Sequence, residues 1–248
     1  MCEKNRMKTE NKKGVARSIV RMIDRAEDMV IVLISVLCLL IGGYSLIDSY
    51  LVYQHANDDS ILKYKPVGDS YQRLGADMVA WLTVEGTKID EPVMQGKDNV
   101  EYLNKDPWGD YSMSGSIFLD SRNSSDFGDA YSLIYGHQME QEAMFGPLAH
   151  YLEKDYIKKH SKGELIVGEK TYEIRFFAAM TVEATQEYVF APTEYAAEDV
   201  LAYVKKHADV YREAEAPQEE EKRLLALSTC KYPDSVDRIV VFGRLISE

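Results

Sequence analysis

After residue 69, hydrophobic and polar residues alternate in short runs that are bounded by glycine, proline, asparagine and aspartate. Alternation with a period of two is typical of β-strands that bury one face. The pattern predicts eight strands, at residues 79–84, 87–93, 115–119, 131–135, 164–167, 170–179, 224–229 and 238–246. Many short strands at regular spacing indicate a β-barrel or a β-sandwich. We therefore expect one mainly β domain over residues 69–248.

Two stretches within this domain follow the helical period of about 3.6 residues instead. The first covers residues 141–156 and the second covers residues 194–212, and each places its apolar residues on one stripe. Such a stripe faces a protein core far more often than a ligand. Asp69 can also cap a short helix that runs to Gly75. The expected fold class is therefore mainly β with added helices.

The N-terminal part of the chain has a different pattern. Residues 29–47 are 19 consecutive positions without a charged side chain, which is long enough to cross a hydrocarbon core of about 30 Å. Eight basic and five acidic residues precede them, and this net charge of +3 favours the cytoplasmic side. We expect a cytoplasmic basic tail at residues 1–28, a transmembrane signal anchor at 29–47, a stalk at 48–68 and an extracellular domain at 69–248.

A cleaved signal peptide is the competing interpretation of the apolar segment. The segment exceeds the usual length of about 7 to 15 apolar residues, and no small-x-small cleavage site follows closely, so an uncleaved anchor is favoured. Beyond residue 28 the chain carries 21 basic and 36 acidic residues, a net charge of −15. A surface this acidic suits neither nucleic acid nor anionic lipid. The membrane is therefore expected to be contacted through the N-terminal helix.

Cys230 is the only cysteine that follows the apolar segment, so an exported domain offers it no intramolecular disulfide partner. It follows a predicted strand, and a seven-residue loop leads from it to a strand that begins at Arg238. Such a hairpin can bring the two side chains together. A nearby cation favours the nucleophilic thiolate, and a guanidinium can stabilise the oxyanion that forms when a thiolate attacks a carbonyl. From spacing alone, an inert buried cysteine beside a surface arginine stays open as the alternative.

A cysteine nucleophile also needs a proton donor for the departing amine, and histidine is the usual one. Four of the five histidines lie in the stalk, in charged stretches or beside an apolar stripe. His137 differs, because it follows Gly136 at the end of the predicted strand 131–135, where a barrel presents chemistry. Metal binding at His137 is a poor alternative, because no second histidine or cysteine lies at ligand spacing. The residues indicate no cofactor.

Several segments resemble the catalytic signatures of sortases, the cysteine transpeptidases of Gram-positive cell surfaces. They are residues 227–230, residues 238–241 and residues 135–137. Further blocks resemble class B sortases in particular: residues 79–82, residues 92–99 with Tyr102 and Leu103, residues 115–120 with Arg122 and Asn123, and residues 144–146. Any one block is weak, but the ordered set, which spans roughly residues 77–246, is specific.

The resemblance implies an eight-stranded sortase-type β-barrel with a helix before the cysteine strand, which residues 194–212 fit. It also implies that Cys230 attacks the threonine carbonyl of a C-terminal sorting signal on a secreted protein. His137 would protonate the leaving amine and later deprotonate the incoming one, while Arg238 stabilises the oxyanion. A peptidoglycan precursor amine, or a pilin lysine in a pilus-polymerising enzyme, would resolve the thioacyl intermediate.

By the same resemblance, class B substrate contacts fall on four positions: Asn99, Leu103, Tyr188 and Ser228. Lys231 follows the cysteine where some class B members carry an acid, so no carboxylate is assigned as a third catalytic member, and Asp234 stays open. Two other classes of function also stay open. One is a membrane-anchored cysteine hydrolase that releases peptides to water, and the other is an anchored binding module in which Cys230 is inert.

Overall fold

The computed structural model describes residues 2–56, 59–66, 74–139, 142–217, 223–230 and 235–247. The chain divides between Leu51 and Val52 into two compact units. The first belongs to one long helix, α1 (Cys2–Ala56). Its segment Val20–Tyr53 is long and apolar enough to cross a membrane, and it contains the predicted span.

Nine strands form within the described part of the second unit, and they include all eight that the alternation predicts. They are β1 (Met78–Val84), β2 (Asp90–Met94), β3 (Ile117–Leu119), β4 (Tyr131–Tyr135), β5 (Lys162–Val167), β6 (Lys170–Glu183), β7 (Val210–Tyr211), β8 (Leu224–Cys230) and β9 (Asp237–Ser247). The largest difference in length is at β6, which extends past the predicted end at residue 179. Strand β7 lies where the sequence predicts the end of a helix.

Eight of these strands close into a barrel. Their order is β5, β1, β2, β3, β4, β8, β9, β6, and β6 pairs back onto β5. Two pairs, β2 with β3 and β4 with β8, are parallel, and the other pairs are antiparallel. The short β7 adds to β6 beyond the part that pairs with β5. Closure leaves the eight barrel strands without a long exposed edge.

The alternation along each strand divides apolar residues between the barrel interior and an outer face. On β8, Leu225 and Leu227 belong to the interior cluster, while Leu224 and Ala226 belong to a second cluster outside the barrel. This outer cluster is covered by α3 (Glu187–Phe190) and α4 (Ala197–His207), which supply further buried residues, among them Val189, Val200 and Val204. Where these helices lie, the strands therefore carry apolar residues on both faces, and not only on the face that points into the barrel.

The helical prediction over residues 141–156 is only partly correct. Residues 140–141 lie outside the described residues, and Glu142 and Met144 adopt left-handed backbone conformations, with φ of 62° and 50°. These conformations interrupt a helix. The chain then forms a 3-10 helix, Gly146–Leu152, with a proline in its first turn, and afterwards α2 (Lys154–Lys159). Other 3-10 helices are Asp59–Tyr64, Glu101–Leu103 and Glu213–Glu215. The predicted helix that begins at Asp69 falls mostly on residues outside the description.

The segment at residues 59–66, within the expected stalk, packs on the barrel. Ile61 is buried in a third cluster with Trp81, Met94 and other residues. Lys65 Nζ lies 2.7 Å from Asp90 Oδ1 and forms an ion pair. The compact unit therefore includes residues that precede β1.

Candidate active site

The three residues that the sequence singles out for chemistry lie on neighbouring strands. Strands β8 and β9 pair antiparallel, and Cys230 stands opposite Arg238 in their register. On its other side β8 pairs in parallel with β4, where Tyr135 stands opposite Ser228. His137 follows two residues beyond the end of β4 and lines the same cavity as Cys230 and Arg238. The middle strand therefore presents the thiol between an imidazole and a guanidinium.

All three side chains belong to the outer face of the barrel. Residues an even number of positions apart on a strand share a face, so Cys230 lies on the same face as Ala226, which packs beneath the helices. The same relation links Val240 to Arg238 along β9, and His137, two residues beyond the end of β4, lines the cavity that Cys230 and Arg238 also line. One face of three strands is thus covered by helices at one end and forms the site at the other.

A groove of about 280 Å³ opens at that end of the strands. Six of the seven residues predicted from the sequence line it: Asn99, Leu103, His137, Ser228, Cys230 and Arg238. Phe118, Tyr135 and Phe190 add apolar and aromatic walls. A largely apolar groove with a few polar groups at one place is the usual form of a site that binds an extended ligand.

The ring of His137 is oriented by a backbone carbonyl. Its Nε2 lies 2.7 Å from the carbonyl oxygen of Leu103. Because a carbonyl can only accept, Nε2 carries the hydrogen and Nδ1 is the nitrogen that can exchange a proton. Gly115 makes room for this carbonyl, since a Cβ there would lie 2.5 Å from the Leu103 oxygen, and its φ of +59° also favours glycine. The loop at Gly115 therefore helps to fix the imidazole.

The backbone at His137 is fixed from two sides. Gly136 N donates a hydrogen bond to Ser228 O at 3.1 Å, which extends the pairing of β4 with β8 by one residue. Phe145 N donates to His137 O at 3.0 Å. The buried Phe145 ring packs against Gly136 so closely that a Cβ there would lie 2.7 Å from it. The glycine before the histidine is thus a packing requirement of this turn.

Arg238 is held by backbone carbonyls of the loop that precedes it. Its Nη1 donates to Ser235 O at 2.6 Å and to Asp237 O at 3.2 Å. Its Nε and Nη2 make no hydrogen bond within the described residues. A guanidinium keeps its charge at any physiological pH. The groove therefore contains a permanent, anchored positive charge opposite Cys230.

Two of the predicted substrate contacts have different hydrogen-bonding states. Asn99 is engaged through both side-chain atoms, because Oδ1 accepts from Ser121 N at 2.7 Å and Nδ2 donates to Asp120 Oδ2 at 2.9 Å. Ser228 is buried, and its Oγ has no hydrogen-bond partner within the described residues. A buried hydroxyl in this state is stabilised by any ligand group that bonds to it.

Tyr188, the seventh predicted residue, is not part of the groove lining. It lies on α3, is 38 % exposed, and packs its ring on Tyr195 and Tyr203 with centroid distances of 4.5 and 5.3 Å. Phe190, two residues further along, lines the groove instead. Residues two apart on a helix do not share a side, so α3 presents Phe190, and not Tyr188, to the groove.

Asp120 is the main residue of this region to which the sequence assigned no role. Its carboxylate is fully buried and bonds to Arg122, Asn99 and Tyr135. Burial by itself raises the pKa of this carboxyl, but the hydrogen bonds and charge of Arg122, with the Tyr135 hydroxyl, outweigh it and hold the pKa below its usual value. The sign of this role in the sequence is the position of Asp120 directly after the apolar residues of β3. An acid that is buried at such a position needs hydrogen-bond partners, because a buried charge without them is costly.

The arrangement can carry nucleophilic acyl transfer. The thiol supplies the attacking atom, the imidazole moves the proton, and the guanidinium stabilises negative charge on a carbonyl oxygen. No group of three or more histidine, cysteine or acidic side chains that could hold a metal ion occurs among the described residues.

Comparison with known proteins agrees with this chemistry. Residues 82–246 match the family model of the sortase domain. Sortase B of Listeria monocytogenes is 36 % identical over 183 residues, which cover 71 % of this chain and 73 % of that protein. The chain therefore belongs to the sortase family.

Solved structures define the class within the family. Spy0129 of Streptococcus pyogenes, a class B sortase involved in pilus biogenesis, is 38 % identical with a TM-score of 0.63, over 69 % of this chain and 94 % of that one. The Staphylococcus aureus sortase B–substrate complex is 29 % identical with a TM-score of 0.64, over 70 % and 82 % of the two chains. The protein is accordingly a cysteine transpeptidase of the sortase B type, and the expected eight-stranded barrel is confirmed.

Proposed function

We propose that Cys230 is the nucleophile of this transpeptidase, His137 its general acid and base, and Arg238 the residue that stabilises the oxyanion. The observation that carries this proposal is that all three line one groove, with Cys230 opposite Arg238 on β8 and β9 and His137 just beyond the end of β4. No other cysteine follows the apolar segment. A cysteine transpeptidase needs one nucleophilic thiol, so the assignment to Cys230 is direct.

In the acylation step, the thiolate of Cys230 attacks the carbonyl carbon of a threonine in the sorting signal. The carbonyl oxygen becomes an oxyanion beside Arg238, whose planar guanidinium donates hydrogen bonds to it. As the C–N bond breaks, the protonated imidazole of His137 gives a proton to the leaving amine. Because Nε2 donates to Leu103, this proton leaves from Nδ1. The products are a thioacyl enzyme and the freed C-terminal fragment.

In the transfer step, His137 is neutral and acts as the base. It takes a proton from the incoming amine as that nitrogen attacks the thioester carbonyl, and the Cys230 thiolate leaves. The enzyme returns to its starting charge state, and the secreted protein is joined to the acceptor by a new amide bond. No cofactor enters either step.

The groove supplies the contacts for the peptide. We assign Asn99, Leu103 and Ser228 to substrate binding, together with Phe190 in place of the predicted Tyr188. Ser228 offers its Oγ hydroxyl to a polar group of the peptide. Tyr188 is a support for α3, because it packs on Tyr195 and Tyr203 behind the groove wall.

The charges of the N-terminal flank and of the barrel favour one orientation of the chain across the membrane. The net charge of +3 before the apolar segment favours a cytoplasmic N-terminus, so the barrel lies outside the cell, where secreted substrates pass. We propose residues 1–28 as the cytoplasmic tail, residues 29–47 as the anchor and the barrel as the extracellular catalytic domain. The acceptor is then an amine of the cell-wall peptidoglycan.

A pilin lysine is the second candidate acceptor. The similarity to the Streptococcus pyogenes enzyme involved in pilus biogenesis favours it, since that chain is 38 % identical. Both acceptors use the same acylation step, and they differ only in the amine that resolves the thioester. The distinction therefore concerns the second half of the reaction.

The test is the identity of the product. The protein is incubated with a sorting-signal peptide and with two competing amines, a peptidoglycan stem peptide and a peptide that carries a pilin-type lysine. We expect the stem peptide to be joined to the threonine carboxyl group, as detected by mass spectrometry. Predominant joining of the lysine peptide would identify a pilus polymerase. Release of free acid alone at saturating amine would contradict transfer and identify a cysteine hydrolase.

A further inference from the structure

Behind the groove lies a carboxylate that the reaction does not use. Asp120 follows β3 directly and is fully buried. Its Oδ2 accepts hydrogen bonds from Asn99 Nδ2 at 2.9 Å and from the Tyr135 hydroxyl at 2.9 Å. Arg122 binds both oxygens, with Nη2 2.8 Å from Oδ2 and Nε 2.9 Å from Oδ1. This bidentate pair is the strongest geometry available to a guanidinium and a carboxylate.

Arg122 connects Asp120 to the part of the groove wall that Phe190 forms. The same Nη2 donates to the backbone carbonyl of Phe190 at 2.5 Å. Phe190 is the last residue of α3 and lines the groove. The preceding carbonyl, that of Val189, accepts a hydrogen bond from the buried Tyr131 hydroxyl at 2.8 Å. Two consecutive carbonyls therefore tie the end of α3 to the barrel, and one of them depends on Arg122.

Three groove residues on separate segments of the chain are thus joined to one ion pair. Asn99 lies in the loop after β2, Tyr135 ends β4, and Phe190 ends α3. We propose that Asp120 and Arg122 are positioning residues that set the width of the groove and hence its affinity for the sorting signal. They do so without contact with the reacting atoms. This inference rests on the proposed role of the groove as the peptide site.

A second carboxylate in the same barrel offers a matched contrast. Asp90 Oδ1 also accepts three side-chain hydrogen bonds, from Lys65 at 2.7 Å, Trp81 at 2.7 Å and Thr83 at 2.8 Å. None of these residues lines the groove. Loss of the Asp90 carboxylate therefore reports the general cost of breaking a part-buried polar network, separately from any effect on the peptide site.

The experiment uses the full-length protein in detergent micelles. A quenched fluorogenic peptide library, with threonine fixed at the cleavage position, first provides a substrate for the unmodified protein. KM and kcat are then measured for Asp120→Asn, Arg122→Gln and the control Asp90→Asn, each corrected for its folded fraction. We expect KM to rise about tenfold or more in the two groove variants while kcat changes less than about threefold, with both constants within about twofold of the parent in the control.

A second measurement isolates the nucleophile. The rate at which iodoacetamide alkylates Cys230, followed by mass spectrometry of its peptide, should stay near the parent rate in all three variants. If Asp120→Asn does not fold, Arg122→Lys and Tyr135→Phe each remove one link, and each should raise KM by a smaller factor. Arg122→Lys keeps the charge but loses the planar fork.

Three outcomes overturn this proposal alone, and a fourth overturns the proposed function as well. KM values that stay near the parent value in the folded groove variants would show that the pair does not shape the peptide site. An equal rise in KM for Asp90→Asn would assign the effect to general stability. A parallel loss of kcat and of Cys230 alkylation would place the pair in control of the nucleophile. Failure of the unmodified protein to cleave any library member, with Cys230 unreactive, would overturn the proposed function and this inference with it.

Discussion

The two ends of strands β4, β8 and β9 share one outer face but differ in what lies over it. At one end, Leu133, Ala226 and Val240 are buried beneath α3 and α4. At the other end, the thiol on β8 and the guanidinium on β9 meet the imidazole of His137, two residues beyond β4, along an open groove. The difference shows that one outer face can hold both a packed core and a site, because polar side chains take the places of apolar ones where the helices do not cover the strands.

If this comparison is right, substitutions at the open end should lower the catalytic rate without changing the free energy of unfolding. Substitutions at the covered end should lower the free energy of unfolding without changing the catalytic rate. The largest effect is expected for Cys230→Ala, because without the thiol no thioacyl intermediate forms. We expect cleavage of a sorting-signal peptide to fall by about 10⁴-fold or more with an unchanged thermal midpoint. Cys38→Ala, in α1, is the matched control and should keep full activity. Substantial turnover by Cys230→Ala would refute the assignment.

His137→Ala should have the next largest effect. Loss of general acid and base catalysis is expected to lower kcat by about 10³-fold. His137→Gln sharpens this result, because its amide can still donate to the Leu103 carbonyl but cannot exchange a proton. Both variants should melt near the parent temperature. If His137→Gln turned over substrate at close to the normal rate, the imidazole would serve only to support the loop.

A smaller but still large effect is expected for Arg238→Lys. The ammonium keeps the charge but cannot reproduce the planar pair of donors, so we expect kcat/KM to fall by about 10²-fold. Measurement of kcat/KM on the same peptide checks this, with thermal unfolding as the control for folding. Near-normal turnover would mean that charge alone is enough at this position.

At the covered end, Leu133→Ala should change activity least and stability most. Leu133 is fully buried beneath the helices on the strand that leads to His137. Its truncation should lower the free energy of unfolding by about 2 to 5 kcal/mol. The kcat per folded molecule should stay within about twofold of the parent value. A stable variant with a tenfold lower kcat would instead show that packing under α4 controls the geometry of the site.

The strands and the Cys230–Arg238 pair could be predicted because both depend on short-range pattern. Alternation located every barrel strand, and a short loop between two strands can bring Cys230 and Arg238 side by side, as the register of β8 with β9 confirms. The meeting of His137 with Cys230 could not be derived from local pattern, because β4 and β8 pair in parallel across a long stretch of chain. The resemblance to sortases supplied that link instead.

Other misses have local physical causes. The helix expected from residue 141 is shortened because Glu142 and Met144 have left-handed backbone conformations. The spacing of hydrophobic residues does not predict such conformations. That Phe190, and not Tyr188, lines the groove could not be predicted, because the side on which a four-residue helix presents each residue depends on how that helix packs. Asp120 bonds to Asn99 and Tyr135 on two distant segments as well as to the nearby Arg122, and a single acid after a strand does not identify such partners.

The parallel pairing of β4 with β8 also bears on how the site assembles during folding. Cys230 and Arg238 meet through a local hairpin, whereas His137 reaches the thiol only after β8 has docked beside β4. Pairings between distant segments form late in folding, because the intervening loop must close first. Until β4 and β8 have paired, the chain therefore has the Cys230 thiol and Arg238 without the His137 imidazole beside them. The complete set of three side chains exists only in the closed barrel.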